Sequence, residues 1–127
     1  MPERTLGALL VAVAALLSAC ATPDRYTDAP MKRAGKNTKY AIEDSDRGFR
    51  ITVNYSRFQF LPESSAVAIS CRQELTSLAH DYADEKGRSI APINPDRIKI
   101  SMGRNGFSGI TSCAATAPVR WSEEPAP

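Results

Sequence analysis

The sequence is poor in the residues from which most hydrolytic and metal centres are built. It holds one histidine, His80, and three cysteines, Cys20, Cys71 and Cys113. A structural metal site normally takes three or four ligands at recognisable spacing, and nothing of that kind surrounds His80, so neither a metal nor a cofactor is expected. No serine sits in a G-x-S-x-G context. Strong charge of either sign is also missing. The 16 Lys+Arg and 14 Asp+Glu residues leave a net +2, too weak to suggest a nucleic-acid partner. No apolar run approaches the roughly 20 residues of a comfortable membrane helix, and there is no internal repeat.

The longest apolar run, Leu6 to Leu17, lies close to the N-terminus and ends in "SAC" before turning polar. A secretory signal has an apolar region of about 7–15 residues ending in small residues, and this stretch fits that description. Arg4 and the free amine keep the start net basic despite Glu3.

Leu17-Ser18-Ala19-Cys20 resembles the lipobox of bacterial lipoproteins: a leucine, two small residues, then cysteine. The resemblance covers only the first twenty or so residues. It implies cleavage before Cys20, a diacylglycerol on its sulfur and an acyl chain such as palmitate on the new amine. Cys20 would then be the lipidated N-terminus and membrane anchor. Ala21, in place of the Asp that commonly retains such proteins in the inner membrane, implies the outer membrane. Each buried methylene gains about 0.8 kcal/mol and one chain alone binds marginally, so two or three make a lasting tether. The rival reading is an ordinary secretory signal cleaved elsewhere, with Cys20 incidental.

With Cys20 so assigned, Cys71 and Cys113 remain, and two cysteines in an oxidising compartment point to a disulfide. Closing a loop of about 42 residues is worth roughly 4 kcal/mol in the chain-entropy model. Residues 1–19 thus read as a signal peptide and 20–39 as a lipidated N-terminus and flexible linker. Residues 40–121 read as one small α+β domain and 122–127 as a disordered tail. The linker carries two prolines and the cations Lys32, Arg33, Lys36 and Lys39. Fully extended, its twenty or so residues reach on the order of 60 Å.

Within the domain, Phe49, Ile51, Val53 and Tyr55 alternate with polar residues, the period of a half-buried strand. Phe58 and Phe60 then take over the apolar role, which a bulge near Ser56-Arg57 would explain. Tyr40 and Ile42 suggest a preceding strand that turns through "DSDRG". Pro62 and Ser64 suit a helix start and Gly87 its end. Between them Val67, Cys71, Leu75, Leu78 and Tyr82 form one stripe, with Ile69 and His80 facing away. "RIKISM" alternates again, and Asn105-Gly106 predicts a two-residue hairpin. That turn would place Met102 opposite Gly109, Ile100 opposite Thr111 and Ile98 opposite Cys113. Cys113 would then face the same core as Cys71.

The expected fold is a two-layer β-α-β-β domain, one helix on a mainly antiparallel sheet. Trp121 is expected on its rim. The uncovered face would present Arg50, Thr52, Asn54, Arg97, Lys99 and Ser101. "GRNGFSG" lacks the following helix and lysine of a phosphate loop, so Arg104 and Phe107 read as a hairpin tip. With the thiols bridged and His80 turned outward, no converging acid–base or nucleophilic set is visible. The expected role is non-enzymatic: a lipid-anchored envelope module that binds another envelope protein or the cell wall (peptidoglycan). The candidate binding surface is Arg50, Arg97, Lys99, Arg104 and Phe107. An envelope stress sensor, or an inhibitor of an external enzyme such as a lysozyme, is the alternative by analogy of architecture. A hydrolase is the third.

Overall fold

A computed structural model of the chain describes residues 20–122. The expected signal peptide and the last five residues of the expected tail lie outside the described residues. The elements run β1 (Cys20–Ala21), β2 (Lys32–Arg33), β3 (Thr38–Ser45), β4 (Gly48–Phe58), α1 (Ser64–Glu85), a 3-10 turn (Pro95–Arg97), β5 (Lys99–Asn105) and β6 (Ile110–Arg120). All strand pairs are antiparallel, in the order β1-β5-β6-β4-β3-β2. α1 lies on one face of this sheet, giving the expected small α+β domain.

Alternation along the strands builds the core. Phe49, Ile51 and Val53 of β4 and Cys113, Ala115, Ala117 and Val119 of β6 turn toward the helix. The helix answers with Val67, Cys71, Leu75, Ala79 and Ala83, one residue every four. Leu78 and Tyr82, expected in the stripe, are only half-buried beside it. The two alanines take their place because small side chains let the helix approach the alanine-rich β6. Cys71 and Cys113 are joined in a disulfide, with Cα atoms 6.4 Å apart, inside the usual range for such a bridge.

The helix start differs from the expectation for Ser64. Glu63 holds the N-cap position without a side-chain cap of its own. The buried Gln59 acts instead: its Oε1 accepts from the Glu63 backbone N–H at 3.1 Å, and its Nε2 donates to the Glu63 carbonyl at 3.1 Å. At the other end Gly87 has φ +65. Its N–H donates to Asp84 O, and that of Arg88 to Ala83 O, the paired bonds of a Schellman termination.

Two sequence expectations about the strands are corrected. β4 pairs with β6 one for one from Gly48↔Arg120 to Phe58↔Ile110, so there is no bulge. Phe58 and Phe60 are exposed instead of joining the core: with no extra residue, Phe58 keeps the face of Arg50, Thr52 and Asn54, away from the helix, and Phe60 lies beyond the end of β4. The β5–β6 turn takes four residues instead of two, since Asn105 pairs with Ile110. Asn105 Oδ1 accepts from the N–H groups of Phe107 and Ser108. The left-handed residue is Gly109, at φ +73. Met102 therefore faces Cys113, and Ile100 faces Ala115. The register has moved by four, an even step, so Cys113 keeps its core-facing side.

Residues 20–39 do not hang free as a spacer. β1 joins β5 at one margin of the sheet and β2 joins β3 at the other. Residues 22–31 cross the face opposite the helix as a strap. The strap is fastened by Asp24 N–H to Ser101 Oγ at 2.8 Å and by Thr27 Oγ1 to Glu43 Oε1 at 2.5 Å. Gly103 is required beneath it, because a Cβ there would stand 2.5 Å from Ala21 O.

Candidate functional site

Between the strap and the sheet lies a groove of about 830 Å³. Its floor is the outward side of the central strands, including Thr52, Asn54, Ser112 and Ala114. Thr52 and Thr116, paired across β4 and β6, are buried on that face and share a hydroxyl hydrogen bond of 3.0 Å. Thr116 Oγ1 also donates to Ile51 O at 3.2 Å. These bonds explain how two polar side chains lie buried without cost to the sheet.

The groove wall is mixed in charge. Arg25 and Asp28 form an exposed ion pair at 3.3 Å, of a kind worth little in water. Arg33, Lys36 and Lys39 line the far end, and none of them is in an ion pair among the described residues. Tyr26 stands on the strap. Burial first, and then the nearby Asp24 carboxylate, raise its phenol above the usual value. The groove is thus polar and cationic at one end, suited to hydrogen bonding with an oxygen-rich or anionic group. Sequence reading missed it because a proline-bearing polar stretch gives no period to place it on a sheet.

The expected surface residues are only partly brought together. Arg50, Asn54, Lys99 and Ser101 stand on the face opposite the helix, as their register with Pro118, Ala114 and Thr116 requires. Arg97 does not join them, because it lies in the 3-10 turn. There Asn94 Oδ1 accepts from Asp96 N–H and starts the turn. Arg104 is not at the hairpin tip. It points to the helix side, where its Nη1 donates to Thr111 Oγ1 at 2.8 Å and its Nη2 to Gln59 O at 3.3 Å. Phe107 alone of that pair is exposed at the tip.

His80 is exposed on the outward face of α1, beside a shallow depression shared with Arg72, Thr76 and Asp81. At the sheet end away from the β5–β6 turn, Phe49 packs edge-on against Tyr82 at 4.8 Å and lies 5.2 Å from Trp121. Trp121 is therefore half-buried against the core, with the Arg88 guanidinium 4.3 Å from its ring centre. Tyr82 donates to Asp44 Oδ1 at 2.5 Å. That hydrogen bond, followed by burial, pushes its phenol up to about 12. Among the described residues, no three acidic, histidine or cysteine side chains gather closely enough to hold a metal ion, and no helix is long and apolar enough to cross a membrane.

No family model matches this chain, and no curated protein or solved structure matches it either.

Proposed function

We propose that this protein is a lipid-anchored module of the bacterial cell envelope, held in the outer membrane through Cys20 and facing the periplasm. It works by binding, not catalysis, and contacts another envelope protein or peptidoglycan. One observation carries the reading. The disulfide takes Cys71 and Cys113, which leaves Cys20, the last residue of Leu17-Ser18-Ala19-Cys20, as the one cysteine outside the bridge. A bridge inside the domain fits an oxidising compartment, and the motif supplies the anchor. The groove under the strap and the neighbouring Arg50 and Lys99 supply the binding surface.

The anchor is tested by expressing the full chain in a bacterium fed labelled palmitate. Label should appear in the protein and vanish in Cys20→Ser. A parent chain of unmodified mass would end the proposal. The binding role is tested by pull-down from detergent-solubilised envelope. A partner recovered with the parent should be lost with Arg50→Glu plus Lys99→Glu, and unchanged recovery would remove that face as the contact.

A further inference from the structure

Both ends of the sheet are rich in aromatic residues, but they are treated differently. At one end Phe49, Tyr82 and Trp121 pack on one another. At the other, large apolar side chains stand in the open. Phe58 is 64% exposed, Phe60 87%, Leu61 74%, Phe107 81% and Ile110 38%. Only Ile69, among the described residues with large exposed apolar side chains, lies elsewhere. A contiguous exposed apolar group of this kind marks a contact surface.

The strand register says what it contacts. Cys20 pairs with Asn105, Asn105 with Ile110, and Ile110 with Phe58. These four residues form the last cross-strand row of the sheet. At about 4.8 Å per strand, Cys20 stands about 14 Å from Phe58 along that row. Phe107 follows Asn105 in the turn, and Phe60 and Leu61 continue from Phe58. One row further in, Ala21 pairs with Arg104, Arg104 with Thr111, and Thr111 with Arg57. An apolar rim is thus backed, about 3.4 Å along the strands, by a row carrying two arginines.

We propose that this end of the domain sits in the membrane interface. Phe58, Phe60, Leu61, Phe107 and Ile110 enter the boundary between headgroups and acyl chains, and Arg57 and Arg104 lie level with the lipid phosphates. The inference rests on the proposed lipidation of Cys20, because an acyl anchor in the end row brings the bilayer to the rim with no spacer between them. Apolar rings below and cations behind are the arrangement that interfacial segments use. Two contacts, acyl and side-chain, would orient the domain so that the Trp121 end points away from the membrane.

The test uses the full chain, expressed with its leader, purified in detergent and returned to vesicles of phosphatidylethanolamine and phosphatidylglycerol whose acyl chains are brominated near the headgroup. Phe107→Trp adds a reporter at the rim, and native Trp121 at the far end is the internal reference. The added emission should fall at least twofold in brominated vesicles, while the parent's Trp121 emission stays unchanged. An acylated mass with no quenching of the added tryptophan overturns the inference and leaves the anchor standing. A protein without acyl mass overturns both. Cross-linking of two copies through residue 107, with unquenched emission, assigns the rim to a second copy of the chain and also overturns it.

Discussion

The side chain of Gln59 closes a two-way hydrogen-bonded clasp on the backbone of Glu63, so the residue just after β4 holds the N-cap of α1. Its own N–H donates to Gly109 O at 2.8 Å, which ties the β5–β6 turn to the same point. Gln59→Ala should cost about 1–2 kcal/mol, as the loss of a helix cap and a buried amide's partners usually does. Denaturant unfolding monitored by helical circular dichroism checks this. A change below a few tenths of a kcal/mol would show that Glu63 needs no clasp.

The bridge between Cys71 and Cys113 spans 42 residues and should contribute roughly 4 kcal/mol. For a domain of this size that corresponds to a fall in Tm of about 15–30 °C on reduction. Thermal melts with and without reductant measure it, with Cys71→Ala plus Cys113→Ala as the permanent counterpart.

Two glycines should respond differently to alanine. At Gly87 a Cβ meets nothing within 4 Å, so Gly87→Ala costs only the left-handed backbone, about 1 kcal/mol. At Gly48 the added Cβ collides with the Val119 carbonyl oxygen, and the β4–β6 pair cannot close without shifting. Gly48→Ala should lower the melting temperature well beyond Gly87→Ala. Equal effects would contradict the close approach.

Tyr82 should make stability fall at alkaline pH. Its phenol is raised to about 12 from an unfolded value of 10.0, so the folded state favours the proton. The contribution is fully present below pH 10 and is lost as pH rises through about 12. Near-ultraviolet phenolate absorbance should show a last ionisation step near pH 12, and Tyr82→Phe should abolish that step and flatten the alkaline loss of Tm.

Much of this was legible because two periods are hard to disguise. The alternation from Phe49 to Val53 and the four-residue spacing from Val67 to Leu75 place that strand, the helix and Cys71, and the hairpin signal brings in Cys113. The hairpin register was wrong by four residues, yet Cys113 kept its side because only the parity of that number matters to a strand. Asn105-Gly106 misled because its two-residue turn competes with the Asx contacts that Asn105 makes to Phe107 and Ser108. The role of Gln59 was invisible, since a glutamine five residues before a helix carries no capping signature. The strap was invisible for a related reason: two-residue strands have too little period to read.

A single stretch of chain finishes both margins of the sheet. Sheet margins with open N–H and C=O groups are templates on which a foreign strand can grow. Here β1 occupies part of the β5 margin and β2 part of the β3 margin. Whatever strips residues 20–33 away, whether a protease or a truncation, therefore uncovers those lengths of both margins at once and gives a foreign strand more backbone to pair with at two sites.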